Sequence, residues 1–486
     1  MSKQTKPLLN DPTLPRPEQG FLGWLKHNKW TIIVLSLAAL VFAAALLYIH
    51  FDDAPVYQAT GSAELLYEPA VIEVIGNDTI SVDEYTLDKL ELGNQDMRVR
   101  ITSGKFNGHT VDVTNYVSAF NSRKMKKGEK IVLCIYTEPQ DADTIRTVTG
   151  KELIAAAKSY GIEFPLSDIN VNQLTGLNWD GSFHAESADD LEGLTWAVID
   201  GRPVPAYDAG NGELAVFTNA SVYAPNRLLP VILLIILFFI ITTLVGGKTG
   251  IKSLLGLVVT VVCLIWIMCP LLMKGAPMIP TAFIICVYVA IVSLVILGGV
   301  TKKTVCAFLG TFAGMALAVI FGEIAQGIAK INSYNMYDVN SLIEEFKNIQ
   351  MQGIPLHITG VISAGIIIAS LGAVMDVAMS LSSSISELKA VNPQLGFKEL
   401  WKSGMNIGRD MVGTMTNTLI LAFIGGDLVL MIWLWSLDLS LYQLLSSAFL
   451  SVELVSALSS SIGVILAVPL TALVAAAMHA KKPEKQ

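Results

Sequence analysis

Apolar residues in this chain come in long unbroken runs rather than in stripes. Eight runs, at 30–50, 229–247, 253–273, 278–299, 304–328, 357–380, 411–435 and 460–480, are each long enough to cross a hydrocarbon core of ~30 Å as a helix. A further apolar stretch, 439–458, is punctuated by Gln443, Ser446, Ser447, Ser451 and Glu453. It reads as an interfacial or re-entrant helix packed against protein, because a ninth crossing would strand the tail "KKPEKQ" on the wrong side. Between the first two runs the pattern changes to short alternating segments: "MRVRITSG" (97–104), "HTVDVTNY" (109–116) and "EKIVLCIY" (129–136), separated by the turn signals "GKFNG" and "MKKGEK". Short strands joined by tight turns predict a small β-barrel. After it come one helical pattern, "KELIAAAKSYG", and mixed strands and loops.

The predicted fold is a polytopic α-helical membrane protein of about eight transmembrane helices, with an extracytoplasmic domain rich in β-strands between helices 1 and 2. Its parts are a cytoplasmic tail (1–29), an anchor (30–50), the outer domain (51–228, a small β-barrel then an α/β extension), a seven-helix membrane domain (229–480) and a second cytoplasmic tail (481–486). The first run is longer than a usual signal-peptide core. Although Ala43-Ala44-Ala45 resembles a cleavage site, it is read as uncleaved.

Charge orients this arrangement. With the N-terminus inside, the short inner segments hold sixteen Lys and Arg and the short outer ones three, Lys274, Lys330 and Lys347. That bias places both termini in the cytoplasm. The outer domain holds 27 of the 41 acidic residues and 14 of the 33 basic ones, a balance near −13. An acidic soluble part argues against nucleic acid as a partner and is otherwise a solubility feature. The whole chain is 52% hydrophobic and 15% charged, against about 25% charge in an ordinary soluble protein. Of five cysteines, Cys263, Cys269, Cys286 and Cys306 lie in or beside apolar runs, and only Cys134 lies in the outer domain. That distribution is no disulfide framework. No His-x-x-His or His-Glu-x-x-His spacing, nucleophile–base spacing or phosphate-cradling glycine loop is present, so no metal, cofactor or enzymatic activity is expected.

Candidate chemistry comes from polar residues inside the apolar runs, where a charge costs on the order of 2.5–3.5 kcal/mol at mid-bilayer. Gly372, Asp376, Ser380, Ser383 and Glu387 share one helical face. In "GRDMVGTMTNTL" (408–419), Asp410, Gly413, Thr414 and Asn417 share another, continued by Leu421, Ile424 and Gly425. Both stripes begin at the predicted cytoplasmic side, with Asn417 roughly 10 Å deeper than Asp410 at 1.5 Å per residue. They are expected to meet in a shielded seam of Asp376, Asn417, Thr414, Thr416, Arg409, Asp410 and Ser380. The plainer alternative pairs Arg409 with Asp376 or Asp410 and lets the threonines bond back to their own helix. Glu323 near an outer helix end, Asp427 after Gly425-Gly426, and Glu453 are secondary candidates. Gly310, Gly314, Ala318 and Gly322, one small residue every fourth position, predict close helix packing.

The stretches "SLGAVMDVAMSLSSSISEL" (370–388) and "SGMNIGRDMVGTMTNTLILAFIGG" (403–426) closely resemble the YibE/YibF-like family of multi-pass bacterial membrane proteins. "GGKTGIKSLLGL", "PLLMKGAPM" and "GVILAVPLTALVAA" are similar to the same family, over about 230–480. The resemblance implies a fold and a bacterial plasma-membrane location, not a reaction. The order of the aspartate helix, a cytoplasmic loop and an arginine- and threonine-rich helix also resembles SecD/SecF and the resistance-nodulation-division permeases. That likeness implies Asp376 as a proton acceptor with Arg409, Thr416 and Asn417 as neighbours. The expected function is a proton- or ion-coupled transporter for an unknown small substrate or ion. The alternative is an accessory or scaffold subunit of a secretion or envelope-assembly complex, bound to a membrane-protein partner or to copies of itself.

Overall fold

The computed structural model describes residues 29–51, 64–82, 90–118, 123–177, 183–210, 212–333, 351 and 353–480. The tails expected at 1–29 and 481–486 lie outside them, apart from Lys29. The chain forms two compact units, Gln58–Leu237 and the remainder.

In the first unit, strand β1 (Glu64–Asp78) serves two partners. Its first half pairs antiparallel with β5 (Lys130–Asp141), Tyr67 opposite Cys134. Its second half pairs with β3 (Glu91–Ile101), Val71 opposite Arg100. A register shift between Ile72 and Val74 bends the strand where one partner gives way to the other. β4 (Thr110–Val117) adds to β3, and β11 (Glu213–Pro225) adds to β5. β4 and β11 approach each other without main-chain pairing. The order β4-β3-β1-β5-β11 is that of a partly open five-stranded Greek-key barrel of the OB type. Alternation decides its inside: Met97, Val99 and Ile101 point inward with Ile131, Leu133, Ile135 and Phe106, while Asp96, Arg98 and Arg100 point out. The floor is pinned by Gln95, wholly buried, whose Nε2 donates to the Met125 carbonyl (3.0 Å) and whose Oε1 accepts from the Met125 N–H (3.1 Å).

The short strand β2 (Ser81–Val82) pairs with the start of β3. Beyond β11 the sheet continues through β10 (Arg202–Gly210), β9 (Thr195–Ile199) and β6 (Thr147–Thr149), with β7 (Leu166–Ser167) and β8 (His184–Ala185) as a separate pair. Helices α2 (Gly150–Tyr160) and α3 (Asp168–Thr175) pack here on a second core of Leu153, Leu166, Val171 and Trp196. The capping box Thr149–Glu152 starts α2, and Gly161 at φ 66° ends it.

Among the described residues, six helices are long and apolar enough to span a membrane, by length and composition. They are α1 (Lys29–Phe51), α4 (Leu228–Met273), α5 (Met278–Gly298), α6 (Lys302–Ala329), α7 (Val361–Val391) and the last helix, apolar over Leu450–His479. Two differences separate this from the eight runs expected. The runs 229–247 and 253–273 form one helical stretch broken at Gly247, whose φ of 53° and ψ of −135° are non-helical. A Cβ at Gly250 would lie 2.3 Å from the Thr242 carbonyl oxygen. Residues eight apart in a straight helix are about 12 Å apart along the axis, so the chain folds back at Gly247. The run 411–435 is the second difference. It divides into α8 (Phe397–Gly426), whose polar content keeps it outside the apolar set, and α9 (Leu428–Ser436), with Asp427 at the break.

The stretch 439–458 also departs from expectation. After a short α10 (Leu441–Leu445) the chain enters α11 (Ala448–His479) directly, so Glu453 stands on the first turns of the final long helix and not on a separate re-entrant one. No residue in 448–458 has the turn chemistry to stop a helix once Ser447 has begun it.

The heart of this unit is α6, α7 and α11. A Cβ on Gly314 would meet Val374 and Ala467, and one on Gly322 would meet Ile366. One on Gly310 would meet Thr471, and one on Gly463 would meet Ala318. Small residues at this spacing let the backbones close to near contact.

Candidate functional site

The stripe on α7 faces away from the chain's own packing. Val374, Val377, Leu381 and Ile385 are buried, while Gly372, Asp376, Ser380 and Glu387 are exposed and Ser383 half-buried. At 100° per residue Asp376 lies nearly opposite the buried side of the helix. On α8 only Leu400, Gly404 and Gly408 are buried. Arg409, Asp410, Gly413, Thr414 and Asn417 are exposed, and Thr416 is half-buried with an Oγ1 that has no hydrogen-bond partner. α7 and α8 meet through aliphatic and glycine surface instead. Gly404 sits against Ile385 and Ala472, and Gly408 against Val468 and Leu381.

Among the described residues nothing encloses the seam expected between Asp376 and Asn417. The reason is steric: the close approach falls on Gly404 and Gly408, which the residue spacing puts on the opposite side of α8 from Asn417. Among the described residues no ion pair joins Arg409 to Asp376 or Asp410. Two of the threonines bond back to their own helix: Thr414 Oγ1 donates to the Met411 carbonyl (3.1 Å) and Thr418 Oγ1 to the Thr414 carbonyl (2.9 Å). Ser380 offers its carbonyl to the Ser384 hydroxyl (2.9 Å).

The secondary candidates fare differently. Ser363 on α7, wholly buried, donates its hydroxyl to Glu323 Oε1 on α6. Gln326 Nε2 donates to Ser363 Oγ (2.9 Å) and to the Gly322 carbonyl (3.1 Å). This three-residue relay joins two helices 40 positions apart in sequence. Asp427, at the α8–α9 break, and Glu453 on α11 come within side-chain hydrogen-bonding reach of each other.

Sequence reasoning passed over a set of hydroxyls on α11. Ser459, Ser460, Ser461 and Thr471 are all buried, and Ser460, Ser461 and Thr471 have no hydrogen-bond partner. By contrast Thr311 and Ser370, equally buried, satisfy themselves on the Ala307 and Ile367 carbonyls. The triplet Ser459-Ser460-Ser461 inside an apolar run was the available signal. Among the described residues no three His, Cys, Asp or Glu gather as a metal site.

In the β-domain, His109 is buried between Phe106 and Trp196, with ring centroids at 6.1 and 5.1 Å. Burial pulls its imidazole down to about 3. Glu68, also buried, accepts the backbone N–H of Lys105 and of Phe106. Burial raises its carboxyl above the usual range, and those N–H groups pull part of the way back.

Residues 234–481 match the family of YibE/F-like proteins. No curated protein and no solved structure matches the chain.

Proposed function

The chain belongs to the YibE/F-like family, and on that footing we propose that it is a proton- or ion-coupled transporter of a bacterial plasma membrane. One observation carries the reading: the carboxylate of Glu323, an exposed residue, is bonded to the fully buried Ser363 and, through it, to the buried Gln326. An ionisable group in a membrane segment is a functional candidate by default, because its cost must be recovered by a task. Protonation of Glu323 turns a charged acceptor into a neutral one and weakens its bond to Ser363, since hydrogen bonds to ionised groups are roughly twice as strong. α6 and α7 then lose a tie at one end. Asp376 and Asn417 join the pathway only where another membrane segment covers them. Both termini are cytoplasmic in this reading, and the β-domain stands outside.

The test is proton flux into liposomes holding the purified protein and an enclosed pH-sensitive dye. Glu323→Gln is expected to lower flux at least tenfold and Ser363→Ala severalfold. Wild-type flux from Glu323→Gln would refute the assignment.

The outward stripes favour a second reading, an accessory or scaffold subunit of a secretion or envelope-assembly complex. A carboxylate left against lipid costs on the order of 2.5–3.5 kcal/mol, which a partner helix would relieve. On that reading purified protein shows no flux, and purification from native membranes yields a stoichiometric partner lost on Asp376→Leu.

A further inference from the structure

The β-domain carries an open cleft of about 590 Å³ on the outward face of β3 and β4, which the function above does not use. That volume lies within the range of small-molecule sites, about 300–1,000 Å³. In five-stranded barrels of this connectivity the second and third strands, here β3 and β4, form a ligand-facing surface. Cross-strand register builds the floor. Asp96 stands opposite Thr114, and Arg98 opposite Asp112. Tyr116 follows on β4 with its ring 65% exposed, and Asn219 of β11 closes the far side.

We propose that this cleft binds a neutral oligosaccharide. The hydrogen-bonding inventory selects the class. Arg98 and Asp112 form a two-point fork, Nε to Oδ1 at 2.9 Å and Nη2 to Oδ2 at 3.3 Å. The fork uses two of the guanidinium's five N–H groups and cancels both charges. Asp96 Oδ1 accepts the Thr114 hydroxyl at 2.8 Å, and among the described residues no donor bonds to Oδ2. What remains is a mixture of donors and acceptors on planar groups. A sugar hydroxyl, which both donates and accepts, satisfies such a mixture; a ligand with only acceptors does not. The exposed Tyr116 face offers an electron-rich platform for the polarised C–H face of a pyranose ring.

Charge excludes the rivals. Asp96 leaves the floor near −1, within a domain near −13. That field repels nucleic acid and other polyanions. An apolar ligand would strand the fork, Asp96 and Asn219 without water, at about 1–3 kcal/mol for each unpaired group.

The test uses the full chain in detergent with two neutral probes, tri-N-acetylchitotriose and maltotriose. Two anionic probes, a hyaluronan hexasaccharide and a thymidine oligonucleotide, serve as counter-tests. Saturation-transfer NMR reads contact, and titration calorimetry reads affinity. One neutral probe is expected to bind, with affinity falling at least tenfold in Tyr116→Ala. Thermal unfolding of that variant should be unchanged, given the exposure of the ring. Should Tyr116→Ala disturb the fold, Asn219→Ala takes its place, with a severalfold loss expected. Absence of binding by both neutral probes at millimolar concentration overturns the proposal. So does binding that neither variant weakens, or binding of the anionic probes in their place. Proton flux is unaffected by these substitutions whichever way the binding test falls, so the transport reading stands or falls separately.

Discussion

Replacing Gly314 by alanine tests the three-helix core directly. An added Cβ would lie 2.7 Å from Val374 Cγ1 on α7, 2.8 Å from Ala467 Cβ on α11 and 3.1 Å from the Gly463 carbonyl oxygen. Carbon atoms rest at ≈ 3.5–4.0 Å, so roughly 1 Å must be found on two sides at once. α6 cannot retreat from one neighbour without pressing on the other. Neither neighbouring group yields easily. Val374 is β-branched and wholly buried, held to one preferred rotamer in a helix, and Ala467 has nothing to rotate. Overpacking of this kind costs about 1–3 kcal/mol. The intrinsic helix preference for alanine over glycine returns ≈ 0.8–1.0 kcal/mol. A net loss of about 1 kcal/mol or somewhat more follows. Gly365 on α7 is the control: it is exposed and has no neighbouring atom within 4 Å, so Gly365→Ala should be neutral or slightly stabilising. The assay is equilibrium unfolding of the purified protein in mixed micelles, comparing midpoints of the two variants with wild type. The expected order is Gly365→Ala at or above wild type, with Gly314→Ala lowest and apart from the control by about 2 kcal/mol. If Gly314→Ala unfolds no earlier than Gly365→Ala, α6, α7 and α11 do not pack as described. The positions of Ser363 and the α11 hydroxyls would then lose their support.

Two further outcomes concern the β-domain. Because burial holds His109 down to about 3 against ≈ 6.5 in an unfolded chain, the unfolded state takes up the proton first as pH falls. Stability from this group is full above pH 6.5 and is lost down to about pH 3, at ~1.4 kcal/mol per unit. Between pH 7 and pH 5 the wild type should therefore lose about 2 kcal/mol more than His109→Gln, read by hydrogen exchange of β3 and β4 in the full chain; equal losses would contradict it. Gln95→Leu leaves both the N–H and the carbonyl of Met125 unpaired in a dry site, a loss of about 2–5 kcal/mol for two such groups. Exchange protection should fall across β3 and in residues 123–130, and unchanged protection would count against the clamp.

The runs at 30–50, 278–299 and 304–328 were legible because twenty apolar residues have one stable solution in a bilayer. The β3, β4 and β5 segments were legible because a two-residue period admits one buried face. The glycine spacing of α6 likewise announced close packing, whichever helix came to fill it. Periodicity also placed Asp376 with Ser380, and Asn417 with Asp410, on common faces. It could not say what those faces meet, because inside a bilayer lipid and protein neighbours are equally apolar and hydrophobicity loses its power to separate inside from outside. That choice was made by contact between distant segments. Gly404 and Gly408 let α8 approach Ile385 and Val468, which turned Asn417 away, and antiparallel packing of α6 on α7 brought Glu323 to Ser363. The fold-back at Gly247 belongs with these, since its φ of 53° is open to glycine at little cost but is taken only when the second limb has something to pack against. The sequence by itself determined the class, the barrel and the faces; the tertiary structure decided which polar groups those faces brought together.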